Sequence, residues 1–346
     1  MKYLRLLLFP FSILYGLITS FRNFLFDKGI LKSHSFDLPI IAVGNLSVGG
    51  TGKTPQIEYL IRLLSQKYKL ATLSRGYKRK SEGFVLANSS SQVSEIGDEP
   101  FQFHQKFKNI AVAVDANRRN GIEQLQQIVN PEIILLDDAF QHRKVKAGFY
   151  ILLTAYNDLY ADDFLLPAGN LRESRIGAER ASVVVVTKCP QDLSEKERNI
   201  IERKLQLETA QKLFFTTVIY DNFVFSEKSQ ISIEEIKLKP KMIVAGIAKP
   251  KPFYDFLGVT NNDEIITFPD HHDFSEKNIQ NIENKLDNKI LITTEKDYVR
   301  LKGKISAEKL FYLPIKIEFL FNGEQFDETI KNYVRNSTRN SSIHSR

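Results

Sequence analysis

Eight consecutive residues, Ser47, Val48, Gly49, Gly50, Thr51, Gly52, Lys53 and Thr54, hold the first chemistry legible in the chain. They lie in IIAVGNLSVGGTGKTP, between a β-rich run and a helical pattern in which Ile57, Leu60, Ile61 and Leu64 share a face. In a GxxxxGK(S/T) loop, glycines let backbone N–H groups close on the phosphates of a nucleotide. The lysine reaches the outer phosphates, and the threonine hydroxyl meets Mg²⁺. Ser47 stands where that pattern begins with Gly, yet Gly49, Gly50 and Gly52 still permit close backbone approach. A second signal is EIILLDDAFQH, an apolar run that ends on Asp137 and Asp138, where a nucleotide-binding sheet holds Mg²⁺ directly or through water. Alone, the loop could be a tight turn and the acids a soluble strand end; together they predict a kinase or NTPase that uses a magnesium nucleotide. Guanine recognition would favour an (N/T)KxD run, and VVVVTKCPQD has Thr187 and Lys188 but Pro190 where the Asp belongs, so ATP is expected.

For loop and acids to meet, one sheet must bring their strand ends together. The runs LPIIAVG, LATL, NIAVAV, EIILL, FYILLT, SVVVVT and LFFTTV are near-continuous apolar strands, the pattern of a parallel sheet covered on both faces. Pro55 is tolerated in the first turn of the helix after the loop, and Ser194 with Glu197 forms a capping box ahead of Ile200, Ile201 and Leu205. The polar stretch 221–240 reads as a connection, after which MIVAGI, EIITF, KILITT and LFYLPIKIEF supply a second unit. The expected organisation is an N-terminal helix over residues 1–30, a core over 31–220, a linker over 221–240, a smaller α/β domain over 241–334 and a disordered tail over 335–346. The fold class is α/β, a P-loop NTPase-like parallel sheet with helices on both faces.

Composition narrows the function classes. A hydrophobic share of 42% and a charged share of 26% in 346 residues exclude general disorder and a multi-span membrane protein. The lone Cys189 excludes an internal disulfide, a cysteine zinc cluster and a redox pair. The excess of 48 basic over 41 acidic residues, net +7, suits anionic small molecules or an anionic membrane surface as well as nucleic acid, and no nucleic-acid binding is inferred from it. Residues 6–21 carry no charge, but at ~1.5 Å per residue they fall short of a ~30 Å hydrocarbon core. Five basic residues and one acidic residue accompany them up to Ser35, so a helix in the membrane interface or a short tilted anchor is expected, with a helix buried on the protein as the alternative.

The ordered set GNLSVGGTGKTP, LSRGYKR, GDEP, AVDANRR, LDDAFQHR, LLPAGNLRES, VAGIAKPKPF, FPDHH and TEKDYVRL resembles the tetraacyldisaccharide 4′-kinase family over nearly the whole chain. The family's loop also has Ser at the position of Ser47. Its GIGxP motif is Gly246-Ile247-Ala248-Lys249-Pro250 here, so no role needing a bare backbone is carried over to Ala248.

The resemblance implies transfer of the ATP γ-phosphoryl group to the 4′-hydroxyl of a tetraacyldisaccharide 1-phosphate, giving lipid IVA, at the cytoplasmic face of the bacterial inner membrane. Its partners would be this lipid A precursor and membrane lipid, with no nucleic acid and no obligate protein. It further implies Asp98 of GDEP as the catalytic carboxylate and His271 of FPDHH as its partner, while an isolated Asp98 would read as a helix N-cap. Glu173 of LRES becomes a candidate for Mg²⁺ or its water shell. Arg75, Arg118 and Arg172 become candidates for the substrate phosphate. Gln141 and His142 would orient nucleotide or acceptor or brace the loop, and Tyr77 would stack on sugar or nucleotide or lie in the core. Two other classes fit the residues less fully: a membrane-associated P-loop ATPase acting on a protein or metal cargo, and a soluble small-molecule kinase.

Overall fold

In the computed structural model, which describes residues 5–270 and 272–344 with side chains through residue 337, the seven apolar runs become seven parallel strands. They are β1 (Ile40–Asn45), β2 (Leu70–Ser74), β4 (Ala111–Val114), β5 (Ile133–Asp137), β6 (Phe149–Ala155), β7 (Val183–Thr187) and β8 (Lys212–Tyr220). Antiparallel strands close both edges, β3 (Val85–Leu86) beside β4 and β15 (Ile315–Phe319) beside β8. The order is β15-β8-β7-β6-β1-β5-β2-β4-β3, so the strand entering the phosphate loop and the strand ending in the acids are neighbours, with Val43 opposite Asp137. Alternate residues serve opposite faces. Ile41 and Val43 join the core under the helix Lys53–Leu64, whereas Ile40 and Ala42 join the core under the helix Arg118–Ile128. Ile57, Leu60, Ile61 and Leu64 are fully buried. The capping box at Ser194 and Glu197 is present.

The second sheet holds β9 (Phe223–Phe225), β10 (Gln230–Ser232), β11 (Lys241–Ala245), β12 (Glu264–Thr267), β13 (Ile290–Thr294) and β14 (Leu310–Leu313) in the order β10-β9-β14-β13-β11-β12. The expected linker over 221–240 is therefore corrected: it builds two strands and the helix Ile233–Leu238, and of its apolar side chains Val224 of β9 and Ile233 and Ile236 of the helix are buried. LFYLPIKIEF also divides. Pro314 separates β14 of the small sheet from β15 of the large one, and the Asp221 N–H donates to the Pro314 carbonyl at 3.0 Å. Both crossings between domains thus lie side by side, with Ile315 opposite Tyr220.

The expected tail is corrected as well, because the helix Gly323–His344 runs through most of it. Phe326, Ile330 and Val334 recur at i, i+4 and i+8, are fully buried on the large sheet and nucleate a helix that the polar residues beyond only extend.

The N-terminal helix Phe9–Asp27 is docked the other way round. Ser12 and Gly16 are buried against the protein, while Phe11, Ile13, Leu14, Leu17, Ile18 and Phe21 are more than half exposed. Gly16 lets the helix sit close on the protein, since a Cβ there would meet Leu165 Cδ1 at 2.7 Å and the leucine tip would have to move. No helix among the described residues is long and apolar enough to cross a membrane.

Candidate active site

The phosphate loop leaves β1 at Asn45 and ends where Gly52, at φ +84°, caps the helix that begins with Lys53 and Thr54. Gly49 is at φ +122°, with open space where a Cβ would stand. The loop is tied down by two segments, 170–172 and 187–188. Ser47 bridges Leu171, the Val48 N–H donates to the Asn170 carbonyl at 2.8 Å, and the Arg172 N–H donates to the Leu46 carbonyl at 2.7 Å. Thr187 Oγ1 donates to the Thr51 carbonyl at 2.8 Å, and Lys188 Nζ donates to the Gly50 carbonyl. Lys188, weighed in the sequence only as a guanine signal, is thus a brace of this loop.

Lys53 Nζ lies 3.3 Å from Asn45 Oδ1 and 3.5 Å from Asp138 Oδ1. Asp138, at φ +48° just past β5, also takes Arg172 Nη1 at 3.1 and 3.2 Å. Burial pushes its carboxyl upward, but Lys53 and Arg172 outweigh burial and hold it below the ordinary value. Asp137 behaves oppositely. Burial, and then the neighbouring Asp138, push its carboxyl up to about 7, and its Oδ1 is buried without a hydrogen-bond partner. Glu99 is among the charges that act on it, so the start of the helix Asp98–Lys106 faces the same mouth. Thr51 Oγ1 and Ser74 Oγ are likewise buried and unpartnered.

The unpartnered, buried Oδ1 of Asp137 is a donor of the kind that suits a Mg²⁺ site needing few protein ligands and completing its shell with phosphate and water. No cluster of three or more His, Cys, Asp or Glu suited to a metal exists among the described residues. Glu173 does not fit that role as expected. It is fully buried, takes Arg180 Nη2 at 2.8 and 2.9 Å, Asn23 Nδ2 at 2.7 Å and Gln141 Nε2 at 3.1 Å, and so has both oxygens committed. Gln141 also donates to the Asn45 carbonyl at 2.8 Å and therefore braces the loop.

A cationic group lies beside the acids. Arg118 is buried, donates to the carbonyls of Asp115 at 2.6 Å and Asp137 at 3.3 Å, and is lowered to about 10 chiefly by burial. Burial, then Arg118, Lys144, Arg75 and Arg22, lower half-buried His142 to about 4, so its ring is neutral at pH 7. Arg75 is exposed, and Tyr77 is exposed on the same SRGYK turn rather than in the core.

Asp98 opens the helix Asp98–Lys106 and is buried against Arg300 of the small domain, whose Nε lies 2.9 Å from Oδ1 and whose Nη2 contacts Oδ2. Arg300 Nη1 donates to the His272 carbonyl at 2.7 Å, tying GDEP to FPDHH across the domains. His271 lies outside the described residues. Arg300, Asn45, Arg180 and Asn23 went unread as site residues; Asn45 and Arg300 sat in motifs already noted, whereas the other two carried no signal of spacing.

The profile of the tetraacyldisaccharide-1-P 4′-kinase family matches residues 4–335. The chain belongs to that family. Tetraacyldisaccharide 4′-kinase of Flavobacterium johnsoniae is 64% identical over 97% of this chain and 98% of its own length. That of Flavobacterium psychrophilum is 62% identical over 98% and 100%. Among solved structures, the LpxK of Aquifex aeolicus crystallised in complex with ATP aligns with a TM-score of 0.80 and 32% identity over 96% of this chain and 99% of that one. The two-sheet α/β architecture is thus that of the 4′-kinase family.

Proposed function

We infer that this chain transfers the γ-phosphoryl group of ATP, with Mg²⁺, to the 4′-hydroxyl of a tetraacyldisaccharide 1-phosphate in lipid A biosynthesis, the reaction of its family. The observation that carries the reading is Lys53 poised 3.5 Å from Asp138 at the ends of two adjacent parallel strands, beneath a glycine loop. Phosphate oxygens take the loop N–H groups and displace Asp138 as the partner of Lys53, whose charge then follows the transferring group. Thr54, Asp137 and Asp138 are the residues that would hold Mg²⁺, which would supply charge compensation for the transferring phosphoryl group, and Glu173 acts behind them by fixing Gln141. The 4′-oxygen attacks Pγ, the bond from Pγ to the bridging oxygen breaks, ADP leaves, and the hydroxyl proton passes to the base. Asp98 is the proposed base, with His271 as its partner. In this conformation Arg300 covers the Asp98 carboxylate, so Asp98 acts after that contact loosens. Arg75 and Arg172 are the cationic groups offered to the acceptor's phosphate, Arg118 adds its charge from its buried position behind them, and Tyr77 is a stacking surface.

The N-terminal helix attaches the enzyme to the cytoplasmic face of the inner membrane, lying in the interface rather than spanning it. Its outward apolar face supports this, since a water-facing helix would turn those side chains inward, as the helix Gly323–His344 does. Purified protein with Mg-ATP and tetraacyldisaccharide 1-phosphate in detergent should yield a 4′-phosphate, and ATP turnover indifferent to the sugar acceptor would reject the kinase reading. Replacing Leu14, Leu17 and Phe21 by Asp should shift the protein into the soluble fraction at an unchanged thermal midpoint. Unaltered membrane partition would place attachment elsewhere.

A further inference from the structure

The face of the N-terminal helix that touches the protein is a polar stripe, and what it touches is the wall of the phosphate loop. Ser12 Oγ donates to the Leu165 carbonyl at 3.0 Å and accepts from the Ala168 N–H at 3.0 Å. One turn on, Tyr15 Oη donates to the Arg172 carbonyl at 2.8 Å, and two turns further Asn23 Nδ2 donates to Glu173 at 2.7 Å. Arg22 Nη2 reaches the Gln141 carbonyl at 3.4 Å. The strap over 165–173 therefore lies between the helix and the loop, because its other edge holds Ser47, Val48 and Leu46 through Leu171, Asn170 and Arg172.

We propose that this helix is a positioning element for phosphoryl transfer, with Tyr15 and Asn23 as positioning residues that act through Arg172 and Glu173. Neither touches the reacting atoms. Tyr15 fixes the backbone of Arg172, whose guanidinium orients Asp138, and Asn23 completes the Glu173 node that aims Gln141 at the Asn45 carbonyl. A site aligned through such contacts loses rate when they slacken, since displacements of ~1 Å cost up to about 100-fold. Whatever seats the helix, a bilayer included, then also seats the loop.

The inference rests on the kinase reading, so wild-type protein must first phosphorylate the acceptor in mixed micelles; its failure there would reject that reading and leave this one without a subject. Tyr15→Phe removes a single hydroxyl without opening a cavity, and Asn23→Ala removes the amide. Both should lower kcat, by about threefold and about tenfold respectively, with KM for ATP and co-sedimentation with phosphatidylglycerol-containing vesicles unchanged, and with the thermal midpoint of Tyr15→Phe unchanged. A helix that only anchors the protein would instead change vesicle binding and leave kcat in micelles alone. Wild-type kcat in Tyr15→Phe and in a folded Asn23→Ala would overturn the proposal. If Asn23→Ala unfolds, Tyr15→Phe decides alone, and a rise in KM for ATP at constant kcat would also overturn it.

Discussion

The mouth of the phosphate loop and the node behind it use the same residue types on opposite plans. At the mouth, Asp137 keeps a buried oxygen without a partner, and Lys53 rests on Asp138 at 3.5 Å, a loose contact that a phosphate can replace. In the node, Glu173 is fully buried and spends both oxygens on Arg180, Asn23 and Gln141. Leaving a buried polar atom unsatisfied costs ~1–3 kcal/mol, a cost that a binding site recovers when its ligand arrives and that a framework has no means to recover. The difference separates carboxylates that meet ligand from one that holds the frame, although all three look alike in the sequence.

Breaking the node should have the largest effect. Glu173→Ala leaves the Arg180 guanidinium uncompensated and should destabilise the fold by ~3–5 kcal/mol, read by denaturant unfolding. A loss below about 1 kcal/mol would mean that water replaces the carboxylate and that the node is open. At the mouth, Lys53→Ala should lower kcat ~10²–10³-fold while leaving unfolding unchanged, which steady-state kinetics beside a thermal melt will separate. Retained activity at saturating Mg-ATP would remove the loop from the mechanism. Asp138→Asn should raise the Mg²⁺ concentration for half-maximal rate by roughly tenfold and leave the lipid KM in place. An unchanged metal titration would pass that role to Asp137.

The smallest effect concerns pH. Asp137 is raised from its ordinary value of 3.8 to about 7 in the folded protein, chiefly by burial, so the folded state binds its proton more tightly than the unfolded state. Between those values stability contributed by this group falls as pH rises, because folding then requires burying a charge. Asp137→Asn should therefore raise the thermal midpoint of the ligand-free protein at pH 8 and scarcely at pH 5, by ~2–4 °C per kcal/mol of relief. Equal gains at both pH values would show that its carboxyl titrates as an exposed one does.

Strand composition and local spacing were enough to read the seven parallel strands of the large sheet, the glycine-rich loop and the acids beside it, but not the antiparallel edge strands β3 and β15. A parallel strand buried on both faces must be apolar throughout, and a phosphate loop needs its glycines and lysine consecutive in the chain. The small domain was legible only from residue 241, because β9, β10 and the helix Ile233–Leu238 bury few side chains, and no local rule says that Val224 and Ile236 will be among them.

What tertiary structure alone decided is which like residues are neighbours and which way an amphipathic helix faces. LFYLPIKIEF is one apolar run in sequence, yet Pro314 divides it between two sheets: β14 is inserted between β9 and β13 of the small sheet, and β15 pairs with β8 at the edge of the large one. Residues 6–21 announce an apolar helix, but only the fold turns Ser12, Tyr15, Gly16 and Asn23 toward the strap and leaves the apolar face outward. Asp98 meets Arg300 across 202 positions and Asn23 meets Glu173 across 150, separations at which spacing carries no information. Such pairs are selected by the free energy of satisfying a buried charge in three dimensions, and that term exists only once the two strand layers have brought the chain around.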